Sequence, residues 1–254
     1  MRINKENLER RVYRLHVNNV RRLNDTHIFA SQSIPVLEEV RDEYRQSKSK
    51  RDKRYYVPYK GRSKFAKRTD SELKKIFDRY IDSELYANLI IASVSQFESF
   101  VADVLRNVIF CYPQKLSTKV KGLSISNDVP LQFLVASNSI SEALEKEIDR
   151  RINQVFYASP AFYFEYFKQI TGVDTTDEAF EDYIEIKATR DLRVHNTGRI
   201  NQIYLTKAGE KARGKSGDKL EIDEQYFEHC IAVMKRVSGI VHRDIKETFA
   251  KGEE

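Results

Sequence analysis

A run of forty residues from Ser71 to Phe110 limits the fold most, because apolar side chains recur in it at helical spacing and neither Gly nor Pro interrupts it. Apolar residues with a period of about 3.6 cover one face of an α-helix. The whole chain of 254 residues holds only 9 Gly and 5 Pro, so it has few residues that end helices. We therefore predict a long central helix here and an all-α fold, a helical bundle built around it.

The segment before this run is expected to form an N-terminal helical hairpin. A first helix is predicted by four apolar residues near helical spacing: Leu8, Val12, Leu15 and Leu23. A second helix is expected to begin near Pro35, because proline is favoured in a first helical turn. The predicted domains are thus a helical extension over residues 1–70 and a helical bundle over residues 71–254.

Four more helices are predicted after the central one. Capping-box patterns at Ser139–Glu142 and Thr175–Glu178 open two of them, and Gly172 ends a short aromatic helix between these. Residues 200–223 are expected to form a short loop or a two-stranded excursion before the last helix. The last helix should bury one side: Phe227, Ile231, Met234, Val241 and Ile245.

Composition narrows the classes of protein that fit. The first residues lack the apolar stretch of a signal peptide, and the longest apolar run, Leu89–Val94, is too short to span a bilayer. We therefore expect a soluble cytoplasmic protein without a membrane partner. Cys111 and Cys230 lie in apolar helical patterns, with no CxxC and no histidine at metal-binding spacing. We predict buried free thiols, and neither a disulfide nor a zinc site.

The net charge of +6 is unevenly distributed, because residues 45–68 contain eleven Lys or Arg and one acid. Aromatic residues interleave with these cations, a mixture that can bind single-stranded RNA by phosphate neutralisation and base stacking. The candidate RNA-binding residues are Lys48, Lys50, Arg51, Lys53, Arg54, Tyr55 and Tyr56. Two alternatives stay open: a solvated linker whose tyrosines pack on the bundle, and a contact surface for an acidic partner protein.

An arginine followed by a histidine after four intervening residues is a spacing found in RNA-cleaving helices, but it occurs here three times. The pairs are Arg11 with His16, Arg22 with His27, and Arg190 with His195; Arg236 and His242 are separated by five residues. We expect His16 beside the apolar stripe of the first helix, His27 at a helix end or turn, and His242 beside the buried side of the last helix. None of these three positions calls for chemistry.

His195 differs from the others in its surroundings. It should lie at a helix end, where its side chain can project into a cleft. Asp191, four residues earlier on the same face, could orient an imidazole nitrogen. An apolar stripe beneath it would hold the helix in place: Ile184, Ala188 and Leu192. A structural alternative is that Arg190, Arg193 and His195 only complement the negative end of the helix dipole.

The run from Arg190 to Tyr204, with its Arg, polar residue, His-Asn-x-Gly turn and later tyrosine, resembles the signature of HEPN proteins. The order of helices around it adds to the resemblance, as does the pair Phe97–Glu98 on the central helix. The resemblance covers about residues 71–249 and is closest to HEPN groups of prokaryotic toxin and defence loci.

This resemblance implies a metal-independent endoribonuclease that needs no cofactor. In it the RNA 2′-hydroxyl attacks the neighbouring phosphate, His195 transfers protons and Arg190 stabilises the transition-state charge, with Asp191 and Asn196 in support. Arg193 and Arg199 would add positive field for the RNA backbone. Arg190 and His195 point about 140° apart around the helix, so the resemblance implies a homodimer whose two motif helices share one cleft.

The resemblance further implies growth restriction as a toxin or action as an antiviral effector, held in check by an antitoxin or defence-complex partner. A non-catalytic HEPN protein that binds RNA or acts as a dimeric assembly module is the alternative. A DNA-binding regulator is less favoured, because no helix-turn-helix pattern stands out.

Overall fold

Most of the described chain is α-helical in this computed structural model, which describes residues 8–122, 128–156 and 160–250. The helices are α1 (Leu8–Gln46), α2 (Asp70–Arg79), α3 (Leu85–Cys111), α4 (Leu131–Val135), α5 (Ile140–Phe156), α6 (Pro160–Thr171), α7 (Glu178–Asn196), α8 (Gln202–Ala208) and α9 (Glu224–Ala250). A two-stranded antiparallel sheet is formed by β1 (Lys53–Tyr59) and β2 (Arg62–Arg68). The predicted all-α bundle is confirmed.

The predicted N-terminal helical hairpin is wrong, because α1 is one continuous helix that contains Pro35. A proline inside a helix costs about 3 kcal/mol, since it removes one backbone hydrogen bond and crowds a preceding carbonyl. The buried residues that precede it, Leu23 and Ile34 among them, and the partly buried Leu37 that follows it give one stripe that faces the bundle. Thr26, in the expected turn, instead donates its hydroxyl to the Arg22 carbonyl at 3.0 Å and stays helical.

The predicted central helix is confirmed as α2 and α3, joined by a single π-helical turn at Tyr80–Glu84. A capping box at Thr69 and Glu72 begins it: the Thr69 N–H donates to the Glu72 carboxylate at 2.7 Å, and the Thr69 hydroxyl accepts from the Glu72 N–H at 3.4 Å. By length and composition this helix could cross a membrane, and 44% of its most apolar window is buried in the fold. The core helix of a bundle meets the same criterion.

Only one of the two predicted capping boxes lies at the start of a helix. Before α5, the Ser139 hydroxyl accepts from the Glu142 N–H at 3.2 Å. The prediction for Thr175 is wrong, because Asp177 caps α7 by accepting from the Ala179 N–H at 2.9 Å. Asp174 accepts from the Thr176 N–H at 3.1 Å, and this local turn keeps Thr175 outside the helix.

One apolar core extends through the bundle and includes α1 together with α3, α5, α6, α7 and α9. The predicted buried side of the last helix is confirmed: Phe227, Ile231, Met234, Val241 and Ile245 are all buried. Cys230 is buried, as predicted, whereas Cys111 is only partly buried. The first helix therefore contributes to the same core as the helices that follow the basic segment.

The strands lie in the basic segment and not, as one alternative had it, in the stretch before the last helix. Lys60 and Gly61 have φ of 43° and 73°, which fits a two-residue turn between Tyr59 and Arg62. Residues 200–223 instead contain α8, a short 3₁₀ turn and part of a single bridge between Arg199 and Lys219. The aromatic and β-branched residues at 55–59 favour a β-strand. The segment is therefore not the solvated linker that was one of the alternatives from the sequence.

Candidate active site at the end of helix α7

The last turns of α7 are held by a small apolar cluster separate from the main core. Ala188 and Leu192 of the predicted stripe are buried in it, and Ile184 packs partly buried against the main core. The cluster comprises Ala188, Leu192, Ile200, Tyr204, Ala208 and Leu220. Helix α8 and the loop after it thus fix the end of α7.

The helix ends in the predicted turn. Thr197 and Gly198 have left-handed φ of 51° and 79°, and both of their N–H groups donate to the Leu192 carbonyl. A side chain at position 198 would begin 2.8 Å from the Arg193 guanidinium. Glycine is therefore favoured here by the backbone conformation, and a larger residue would also displace the flexible Arg193 side chain.

A buried carboxylate, Glu185, ties α7 to the segments that follow it. Its Oε1 accepts from the Tyr204 hydroxyl at 2.7 Å and from Arg213 Nε at 3.1 Å, and its Oε2 accepts from the Tyr226 hydroxyl at 2.7 Å. Arg213 also lies over the Tyr226 ring at 3.3 Å. Sequence reasoning missed Glu185 and Arg213, and it singled out Tyr204 only through the family resemblance.

Arg190 faces α3, where its guanidinium meets Glu98. The NH2 group lies 2.6 Å from Glu98 Oε2, and NH1 lies 3.1 Å from Asp191 Oδ1. Its Nε is buried and has no hydrogen-bond partner among the residues that the structure describes. The Phe97–Glu98 pair noted in the sequence thus supplies the direct partner of the candidate catalytic arginine.

Lys187 joins the same cluster one turn before Arg190 and makes an ion pair with the same Glu98 carboxylate. The pKa of Lys187 is lowered to about 8, mainly by burial and also by the nearby Arg190, while Asp191 opposes this shift. Glu98 favours the charged form through direct contact. Lys187 and Arg190 therefore share the Glu98 carboxylate, and Arg190 also pairs with Asp191.

Asp191 does not orient His195 in the monomer. Its carboxylate contacts Arg190 and, at 3.0 Å, the ammonium of Lys207. His195 is exposed, and within the described ranges its imidazole makes no hydrogen bond. Asp191, His195 and Lys207 nevertheless line one cleft of about 360 Å³ between α7 and α8.

A larger cavity of about 550 Å³ opens on the other side of the cluster, where α3 meets α5. Glu98 lines it, but neither Arg190 nor His195 does. Its charged wall is already paired, since Arg106 donates to Asp149 at 2.8 Å. We therefore place the candidate site in the smaller cleft, where an unpaired imidazole is exposed.

The other predicted site residues near the end of α7 differ in their exposure and in their hydrogen-bond partners. Asn196 donates its amide to the Arg199 carbonyl at 2.5 Å and so shapes the turn. Arg199 is exposed, with its guanidinium 3.3 Å from the Gly217 carbonyl. Arg193 is not presented to a ligand as we expected: its side chain is 9% exposed and lies 3.3 Å from Glu84.

The candidate residues of the basic segment are accessible. Lys48, Lys50 and Arg51 are exposed in the stretch before β1. Within β1, Lys53 makes an ion pair with Asp70 at 2.6 Å, while Arg54, Tyr55 and Tyr56 remain exposed.

The other Arg and His pairs serve packing between helices. His16 makes a hydrogen bond with the Ser238 hydroxyl at 2.8 Å and stacks on His242. His27 lies inside α1 and not at the expected helix end; it stacks on Phe227 and contacts Glu228 at 3.3 Å. Among these paired histidines, all within the described residues, His195 is the one that is exposed and lines the cleft between α7 and α8.

No group of three or more His, Cys, Asp or Glu able to hold a metal ion occurs among the described residues. In comparisons with known proteins, no family model, no curated protein and no solved structure matches the chain.

Proposed function

We propose that this protein is a HEPN-type endoribonuclease, which cleaves RNA without a metal ion at a composite site where two copies of the α7 end meet. The observation that carries the proposal is the exposed, unpartnered His195 imidazole in a cleft beside the Arg190, Asp191 and Lys207 cluster. Residues five apart on a helix differ by about 140° in direction. Because Arg190 and His195 of one chain point in different directions, a second copy of the chain would complete the site with its own Arg190 and His195.

Exposed apolar side chains beside His195 support a homodimer. Val194 is 50% exposed on α7, and Ile203, which lines the same cleft, is 66% exposed on α8. Apolar residues exposed around a polar cleft are typical of contact surfaces between proteins. Burying them between two copies would bring the two His195 imidazoles into one cleft.

Histidine suits the proton transfers because it changes charge between pH 5 and 8. One imidazole would take the proton of the 2′-hydroxyl as that oxygen attacks the adjacent phosphorus. The other would give a proton to the departing 5′-oxygen, leaving a 2′,3′-cyclic phosphate and a 5′-hydroxyl. Arg190 would turn its guanidinium from Glu98 toward the phosphate oxygens and stabilise their charge as it increases.

A second candidate, a non-catalytic HEPN protein that binds RNA or assembles as a dimer, is favoured by one observation. The Arg190 guanidinium already makes ion pairs with Glu98 and Asp191. These carboxylates offset the charge that a catalytic arginine brings to the phosphate. In this alternative the cluster holds α3 and α7 together, and the end of α7 contacts a partner.

Cleavage in EDTA separates the two candidates. Wild-type protein should cut mixed RNA, and both Arg190→Ala and His195→Ala should reduce cutting at least a hundredfold. A matched control is the pair Arg22→Ala and His27→Ala, which has the same spacing outside the cleft and should cut normally. Absent cutting, or cutting that survives both cleft substitutions, rules out the enzyme.

The dimer and the cellular role have their own readouts. Val194→Asp with Ile203→Asp should convert dimers into monomers in sedimentation and stop cutting, whereas a monomeric wild type contradicts the composite site. We further propose that the enzyme acts in the cytoplasm as a toxin or antiviral effector restrained by an antitoxin or defence-complex protein. Growth arrest on expression, relieved by His195→Ala, is the expected result.

A further inference from the structure

The β1–β2 ribbon has two chemically different faces, because side chains alternate along a strand. The register places Tyr56 opposite Phe65 and Arg54 opposite Lys67 on one face. We call these four residues the aromatic face. The other face carries Tyr55, Val57 and Tyr59.

The second face is tied to the helices. Lys53, on the same side as Tyr55, makes its ion pair with Asp70 at the start of α2 and lies over the Tyr44 ring of α1 at 4.9 Å. Burial and the neighbouring Tyr44 raise the pKa of Tyr55. These contacts fix how the ribbon leaves the bundle and leave the aromatic face outward.

The aromatic face carries two rings in water beside two cations. The centroids of Tyr56 and Phe65 are 4.4 Å apart, and Tyr56 is 72% exposed. The Arg54 guanidinium lies 5.9 Å from the centroid of the Phe65 ring. Within the described residues, neither Arg54 nor Lys67 makes an ion pair. An exposed aromatic pair with free cations at its edge offers both π-surface and phosphate contacts.

We propose that the aromatic face binds single-stranded RNA by stacking unpaired bases on Tyr56 and Phe65 while Arg54 and Lys67 contact phosphates. Paired bases are already stacked on each other and do not expose their faces to side chains, so this surface should select unpaired strands. The eleven cations against one acid over residues 45–68 match a polyanion. The choice of RNA rests on the proposed nuclease function, and the face would present its substrate.

Fluorescence anisotropy of the full-length His195→Ala protein tests this inference without cleavage. The probes are a labelled single-stranded 12-mer RNA of mixed sequence and the same RNA in a duplex. Tyr56→Val with Phe65→Val keeps strand-forming residues, removes both rings and should weaken single-strand binding at least tenfold, since stacking adds about that factor per base. Val57→Ala, on the second face, is the control and should change binding less than twofold.

Salt dependence tests the cations. Arg54→Gln with Lys67→Gln should reduce the slope of log affinity against log salt by about 1.4, at roughly 0.7 per phosphate contact for single strands. Thermal unfolding should be unchanged in every variant, because all these side chains are exposed.

The following results would overturn the inference: equal affinity for the duplex, no binding of the single strand, equal loss on both faces, or competition by polyglutamate as strong as by RNA. The last would indicate an acidic protein partner. The two proposals also fail separately. If the protein does not cut RNA but binds single strands through Tyr56 and Phe65, only the proposed nuclease function is refuted. If Tyr56→Val with Phe65→Val leaves cutting unchanged, only the proposed stacking face is refuted.

Discussion

Replacing Glu185 by alanine removes the acceptor that holds the end of α7 to three later segments. In the structure this carboxylate, 4% exposed, accepts four hydrogen bonds. The donors are the Thr189 hydroxyl at 2.6 Å, the Tyr204 and Tyr226 hydroxyls at 2.7 Å each, and Arg213 Nε at 3.1 Å. The substitution leaves these donors without their acceptor and opens a cavity between α7 and α9.

The expected loss of stability in Glu185→Ala follows mainly from Arg213, whose positive charge is left without its carboxylate partner. Removing one partner of a buried ion pair costs about 3–5 kcal/mol. Burial raises the pKa of Tyr204 to about 12, so its hydroxyl stays protonated and must donate elsewhere. The Arg213 side chain is 29% exposed and can regain some hydration, which favours the lower half of that range. We therefore expect Glu185→Ala to lower the free energy of unfolding by about 3–4 kcal/mol.

Guanidinium unfolding followed by circular dichroism measures this loss as a shift in midpoint at unchanged slope. Glu181→Ala is the matched control, since Glu181 lies one turn earlier on α7 and is exposed, and it should change stability by less than about 0.5 kcal/mol. Glu185→Gln, which keeps one acceptor oxygen, should fall between the two. A loss below about 1 kcal/mol for Glu185→Ala, or one no larger than the control, would refute the role assigned to the network.

Two stability predictions concern other parts of the fold. Burial and the stacked His242 lower the pKa of His16, so the folded protein binds that proton less readily than the unfolded chain. The unfolding midpoint should therefore fall as pH drops below about 6.5, and fall less in His16→Gln; equal acid sensitivity would contradict this. Thr69→Ala removes the hydroxyl of the capping box with Glu72 and should cost about 1 kcal/mol in the same assay, whereas no change would show that the cap is dispensable.

Periodicity predicted the parts of the fold in which one helix face decides the structure. The central helix and the buried side of α9 follow from apolar spacing alone, because each packs a single stripe into the core. The same reasoning failed at Pro35, where a local signal for a helix start was outweighed by an apolar stripe that continues from the buried Ile34 to the partly buried Leu37. It failed again at Thr175, since two residues with capping side chains competed and Asp177 capped the helix.

The candidate site was predictable only in part, since most of its contacts join distant stretches of sequence. His195 was singled out by its place at a helix end, which local residues determine. Glu98 lies 92 residues before Arg190, so their pairing depends on how α3 packs against α7. Glu185 sits in no motif, and Asp191 lies near His195 in sequence yet contacts Lys207 because α8 folds back over it. The local sequence therefore predicted the candidate histidine, His195, but not the charged residues that lie around it.

A hydrogen bond of 2.5 Å from the Ser47 hydroxyl to the Asp70 carboxylate joins the end of α1 to the start of α2. It shows that the polypeptide leaves the helical framework at the end of α1 and rejoins it at the start of α2 at almost the same point. Residues 48–69 are in this sense an insertion, which a few flexible residues could replace at a small cost in loop entropy. The proposed RNA-binding face and the proposed cleavage site could therefore change independently, by replacement of residues 48–69 while the rest of the chain is kept.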